Sequence, residues 1–403
     1  MSWRSVDGGI CAPMGFRASA VAAGLKGNQK LDLCLIVSDT TCSACGCFTT
    51  NRACASPVRI CKEHLSSTKG YAKAVVVNSG NANACTGPQG DENARRVTRR
   101  VAQLLGCDPR EVLPASTGVI GISLPTEKIL AALPTATEEL SRTGAMAAAQ
   151  SIMTTDTRPK MLAVQLTQKL RCSIAGMAKG SGMIAPHMAT MLSVVTTDAK
   201  ASPECLKSML QEAVDGSFNA VTVDGDTSTN DTVLLLANGM SGAPGLDENL
   251  ELREEFQSAL ICLCVDLAKK IAEDGEGASK RIEFQILNAL TREEARSVGK
   301  VLANSPLVKT ALYGNDPNWG RFIAALGRCG VPLDPSKVRL YLGRDLWLDS
   351  EYREAMSEED ARSRMGGKET VIRVDLARGV AMDTVWTCDF TEDYIRINAH
   401  YRT

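Results

Sequence analysis

The strongest constraint on the fold is the way short apolar runs and amphipathic stretches take turns along the chain. Residues 31–37 and 72–77 are apolar runs closed by polar turns, the pattern of strands buried on both faces. Residues 281–287 alternate instead, with Ile282, Phe284 and Ile286 on one face, and residues 338–342 and 394–398 read the same way. Helical periods lie between them. In residues 91–105 Ala94, Val97, Val101 and Leu104 recur at spacings of three and four before Gly106 supplies a stop. Residues 252–272 carry Phe256, Leu260, Leu263, Leu267 and Ile271 on one stripe, and Ser202-Pro203-Glu204 opens another helix with a capping residue and a first-turn proline. The class is mixed α/β, and 403 residues with 44% hydrophobic content supply a substantial core for it.

Several function classes drop out early. Lys plus Arg total 45 against 46 Asp plus Glu, so a net charge of -1 offers no field for a nucleic acid or an anionic membrane, and a small-molecule partner is expected. No apolar run approaches the roughly 18 residues of a membrane span, and residues 1–7, with Arg4 and Asp7, lack a signal-peptide core. A cytoplasmic location is expected. The four arginines Arg95, Arg96, Arg99 and Arg100 read as a solvated helix face before they read as an anion site. Only three histidines are present, His64, His187 and His400, none in a metal-binding pair or a hydrolase elbow. No dinucleotide fingerprint or P-loop is found. Residues 224–229 begin like a calcium loop but lack the sixth-position glycine and place Leu235 at the twelfth. Fifteen cysteines, an odd number scattered from Cys11 to Cys388, fit reduced thiols better than a disulfide framework. Cys42 and Cys45 have the gap that zinc sites use, with Cys47, Cys54 and Cys61 nearby, but no second pair closes a site and no metal is expected.

What remains is an uncharged, hydroxyl-bearing segment after Lys179, Gly180-Ser181-Gly182-Met183-Ile184-Ala185-Pro186-His187-Met188-Ala189-Thr190-Met191-Leu192. Its glycines permit close backbone approach and Pro186 stiffens the lead into a small-residue junction at Ala189. Taken alone, it reads first as a glycine-rich loop entering a strand at 192–196, before it reads as a reactive segment. The run 179–199 is similar to the self-cleavage motif of the ornithine acetyltransferases. Further blocks match in the family's order: 9–17, 49–57, 78–87, 116–121, 153–157, 224–231, 274–277, 315–321 and 398–403. The resemblance covers essentially the whole chain.

That resemblance implies a layered α/β/β/α-like fold and a chain cut by itself into fragments 1–189 and 190–403. Thr190 would attack the carbonyl of Ala189, and its freed α-amino group, of ordinary pKa about 8, would then serve as base for its own hydroxyl. N-acetylornithine would give its acetyl group to Thr190, and glutamate would take it in a ping-pong reaction. Thr117 and Gly118 match the oxyanion positions, although Ser116-Thr117-Gly118 alone reads as a turn. Thr154, Lys179, Glu276, Asn398 and the terminal Thr403 match substrate contacts, with Thr155 an alternative to Thr154. No cofactor is implied, acetyl-CoA is left open as a second acetyl donor, and the expected assembly is a dimer of two-fragment units. The sequence does not decide acetyl-CoA use or feedback by arginine. Two other readings stand beside this one: a self-cleaving aminopeptidase or amidase of related design, and a cysteine-rich metal-binding protein.

Overall fold

The computed structural model describes residues 3–27, 29–185 and 191–400. They fall into two compact units, one within residues 1–180, 187–219 and 227–267, the other within 181–186, 220–226 and 268–403.

The first unit is built on a sheet in which nine strands are described: β1 (Trp3–Ser5), β2 (Phe16–Val21), β3 (Leu33–Phe48), β4 (Tyr71–Asn81), β5 (Val112–Val119), β6 (Lys160–Leu166), β7 (Ser173–Lys179), β8 (Leu192–Thr197) and β9 (Thr232–Ala237). Their order is β1-β6-β7-β8-β9-β3-β4-β5, with β2 also on β3. The apolar runs read from sequence begin β3 and fill β4. They are continuous rather than alternating because both faces are covered. On one face Leu33, Leu35 and Val76 meet Val97 and Val101 of the helix Gly87–Leu105 and Ile129 and Leu133 of the helix Thr126–Glu138. On the other face Cys34, Ile36, Val75 and Val77 meet Ala148 and Ile152 with Phe16. The helix Gly87–Leu105 stops at Gly106 in the left-handed conformation, as the sequence predicts. Its arginines are paired across the surface, Arg95 with Glu63 and Arg96 with Glu127, both at 2.6 Å, which is the solvated face.

In the second unit β10 (Arg281–Ala289), β11 (Arg339–Leu342), β12 (Asp345–Leu348), β13 (Glu369–Asp375) and β14 (Ala381–Cys388) form a sheet in the order β12-β11-β13-β10-β14. Ile282, Phe284 and Ile286 project into a core with Val298, Leu302, Phe322 and Trp347. Phe322 packs edge-on to Trp347 with centroids 5.3 Å apart.

The mixed α/β class is borne out, as are the helices Pro203–Asp215, capped by the Ser202 hydroxyl, and Leu250–Glu273. One element is corrected. Residues 394–398, expected as a strand, lie in the helix Glu392–Ala399. Five residues are too few to separate a period of two from 3.6. The end signals decide: Glu392 and Asp393 occupy the first turn and Arg396 the last, with Arg396 on Asp393 at 2.8 Å. Among the described residues no helix is long and apolar enough to cross a membrane.

Candidate active site

In the first unit β7 and β8 are antiparallel neighbours, and Lys179, the last residue of β7, is register partner of Leu192, the first of β8. The segment with the Ala189–Thr190 junction is therefore the connection between two paired strand ends. Ala189 and Thr190 themselves, and Thr403, lie outside the described residues. Lys179 is buried, against the exposed position that a lysine among glycines suggests. It stands 3.9 Å from Asp156, whose other oxygen takes Lys160 at 2.6 Å. Asp156 also accepts the amides of Gly180 at 2.8 Å and Thr154 at 3.0 Å. One carboxylate thus ties two sequence-predicted residues, Thr154 and Lys179, to one point.

Burial alone would raise the pKa of Asp156, but Lys179, Lys160 and the Gly180 amide outweigh it and hold the carboxyl well below the usual carboxylate range. Its contribution to stability is therefore present above the ordinary value of about 3.9 and fades as pH falls through the lower folded value. Asp156→Asn leaves two buried ammonium groups short of their counter-charge and is expected to lower stability by about 3–5 kcal/mol. Denaturant unfolding at neutral pH checks this. Lys26 stands on the same side, half-buried, with its ammonium on the Leu31 and Ser151 carbonyls at 3.0 and 2.9 Å, and burial lowers it to about 8.

Thr117 and Gly118 are not a free turn but the end of β5, in parallel register with Ser79 and Gly80 of β4. Gly118 has φ 132, and a Cβ there would lie 2.5 Å from the Asn81 nitrogen, so only glycine fits where the two backbones close up. Asn230 fastens this strand end: its amide group donates to the Ala82 carbonyl at 2.7 Å and the Ser116 carbonyl at 2.9 Å. Its neighbour Asp231 accepts the Met191 amide at 3.1 Å. The oxyanion candidates and the chain leaving Thr190 are therefore tied to consecutive residues.

In the second unit Glu276 follows the helix Leu250–Glu273 and is buried, not a free loop residue. Its amide donates to the Ser181 carbonyl at 3.0 Å, and its carboxylate accepts the Asn398 side chain at 2.7 Å. Gly182 lies against that carboxylate so closely that a Cβ would collide with it. Asn398 itself lies in the helix Glu392–Ala399. Asp224 accepts the amides of Met183 at 2.6 Å and Ile184 at 2.9 Å and, at 3.3 Å, the Tyr394 hydroxyl. Its oxygens organise the start of the cleavage segment. Burial raises Asp224 and pushes Tyr394 up as well.

The sequence reading left out Asp156, Asn230 and Asp231. All three sit inside blocks that it had singled out, 153–157 and 224–231, and the signal was an acid or amide among small hydroxyl residues after an apolar run. Cys42, Cys45 and Cys47 fall on β3, where burial pushes Cys42 and Cys47 up to about 12. Among the described residues no group of three or more His, Cys, Asp or Glu is placed to hold a metal ion.

A family model described as the ArgJ family matches residues 17–403. A relative from Thermosynechococcus vestitus is 46% identical over 419 residues, covering 100% of this chain and 99% of its own. One from Dehalococcoides mccartyi is 46% identical over 400 residues, 98% of either chain. Both are named arginine biosynthesis bifunctional protein ArgJ. A solved structure under the same name, from Bacillus halodurans, is 40% identical and covers 51% of this chain and 96% of its own at a TM-score of 0.49.

Proposed function

The chain belongs to the ArgJ family, and on that footing we propose that it is an acyltransferase of arginine biosynthesis that cleaves itself between Ala189 and Thr190. The Thr190 hydroxyl adds to the Ala189 carbonyl, the peptide nitrogen leaves as an amine, and water releases Ala189 from the resulting ester. N-acetylornithine then acylates the Thr190 hydroxyl and ornithine departs. The glutamate amine attacks the ester, giving N-acetylglutamate and the free enzyme.

The observation that carries this reading is the set of ties in the first unit. Leu192, two residues beyond Thr190, pairs with Lys179, while Met191 rests on Asp231 and Asn230 holds Ser116 beside Thr117. Thr117, through its hydroxyl, and Gly118, through its N–H, are assigned to the oxyanion that forms at each acyl transfer. Thr154 and Lys179 are assigned to substrate, where an ammonium suits a carboxylate. Glu276, with Asn398 and Thr403, is assigned to the ornithine ammonium, for which a buried carboxylate is the natural partner. The fragments 1–189 and 190–403 stay together after the cut because β7, from before it, is hydrogen-bonded to β8, from after it, and β3 to β9. We assign the assembly as a dimer of such two-fragment units in the cytoplasm, needing no metal or bound cofactor.

The relatives carry "bifunctional" in their name, which favours acetyl-CoA as a second donor. The test is acetyl transfer by the purified enzyme. Acetylornithine with glutamate is expected to yield acetylglutamate and ornithine, and acetyl-CoA with glutamate to yield acetylglutamate. Free acetate released at the same rate without glutamate would instead make the protein an amidase.

A further inference from the structure

Lys26 is a half-buried cation with no carboxylate for a partner. Its ammonium donates to the Leu31 carbonyl at 3.0 Å and the Ser151 carbonyl at 2.9 Å, and no acid among the described residues forms an ion pair with it. Asp32, the acid nearest in sequence, is fully buried and spends its oxygens on backbone: it accepts the amides of Ala23 at 2.6 Å, Leu25 at 2.5 Å and Lys26 at 3.1 Å. An ammonium has three protons, so two carbonyls leave one of them, and the charge, unmatched. Partly desolvated charge is costly unless it is paired.

The fold places that proton among the residues already assigned to substrate. The three amides on Asp32 curl residues 23–26 over β4, where Gly80 lets them come close: a Cβ there would lie 3.2 Å from the Lys26 side chain and 3.2 Å from the Leu25 carbonyl oxygen. Gly80 is register partner of Gly118, and Ser79 of Thr117. Ser79 in turn donates its hydroxyl to the same Ser151 carbonyl that takes Lys26, and its amide to the Asp32 carbonyl at 2.9 Å. Ser151 ends the helix Ala145–Ser151, and three residues on is Thr154, whose amide rests on Asp156. Lys26 thus lies where the strand end with the oxyanion candidates meets the turn with Thr154.

Charge in that corner is out of balance. Lys26, Lys160 and Lys179 stand against Asp32 and Asp156, one positive charge in excess. Burial lowers Lys26 to about 8; Asp32 and Asp156 favour its ammonium, and Lys179 and the exposed Lys30 oppose it. A bound anion would restore the balance. Both substrates of the acetyl transfer carry an α-carboxylate, and glutamate carries a second one on its side chain. We propose that Lys26 is a binding residue for a substrate carboxylate, which takes its third proton and its charge beside the oxyanion strand. This rests on the acyltransferase reading and adds to it a cation separate from Lys179.

The experiment compares each acid with its uncharged amide, by kcat/KM, in the wild type and in Lys26→Gln, whose amide group keeps two donors but no charge. One pair is N-acetylornithine and its α-carboxamide as donors; the other is glutamate and glutamine as acceptors. The variant is expected to lose about tenfold or more of the preference for the acid, the worth of a hydrogen bond to a charged group. A loss in the first pair assigns Lys26 to the α-carboxylate, and a loss in the second to the glutamate side chain. A merely structural role would slow acid and amide alike, so preferences unchanged in both pairs would overturn the proposal. If Lys26→Gln does not fold, the wild type decides. Because kcat/KM reports the free enzyme, the preference is expected to hold below about pH 8 and to fall about tenfold between pH 7 and pH 9, as the ammonium is lost. A preference constant over that range would overturn it. A wild type that moves no acetyl group between the acids would instead overturn the acyltransferase reading itself, which tells the two failures apart.

Discussion

Thr190→Ala is expected to give one intact chain with no measurable acetyl transfer. The substitution removes a hydroxyl and leaves the backbone otherwise as it was, so folding is expected to be unimpaired. Two steps depend on that oxygen: attack on Ala189, and acceptance of the acetyl group from acetylornithine. With three histidines in the chain and none in a hydrolase arrangement, no second nucleophile and base are at hand to replace it. Removing the nucleophile of an acyl-transfer enzyme costs on the order of a millionfold in kcat, and here the uncut bond also withholds the α-amino base. Denaturing mass analysis with the transfer assay checks both effects. A variant that is still split between residues 189 and 190 would contradict the assignment.

Thr117→Ala is expected to lower kcat by about 10²–10³-fold, equivalent to roughly 3–4 kcal/mol, with KM close to that of the wild type. An oxyanion donor acts on charge that exists only in the transition state, so its loss appears in turnover and not in substrate affinity. The fold supports a confined effect. Thr117 sits in β5 between Ser116, fastened by Asn230, and Gly118, pressed against β4, so the backbone N–H of Gly118 is held in place by neighbours that the substitution does not touch. Steady-state kinetics on acetylornithine and glutamate separate the cases. A change in KM with kcat preserved would make Thr117 a binding residue.

The legible parts of the fold were those with long, consistent periodicity. The runs that became β3 and β4, the stripe of the helix Gly87–Leu105 and its glycine stop all carry their structure in residue spacing. The helix at 392–399 did not, because its short alternating stretch has two periods compatible with it and only the charges at its ends choose between them. The site divides the same way. Thr190, Thr117, Lys179 and Glu276 were named through resemblance, since a threonine after an alanine or a lysine among glycines has no chemistry in isolation. Asp156 and Asp231 gain theirs only from burial and from partners far along the chain, Lys179 and Met191. Spacing within a motif holds no trace of such contacts. The burial of Lys179 and Glu276 is likewise a tertiary property that overrides what their loop surroundings suggest.

The most direct test of the central claim is the denatured mass of freshly purified wild-type protein. Two species, residues 1–189 and 190–403, with the second beginning at a threonine that bears a free amino group, are the predicted result. A single uncut chain of 403 residues that nonetheless transfers acetyl from acetylornithine to glutamate at full rate would contradict it.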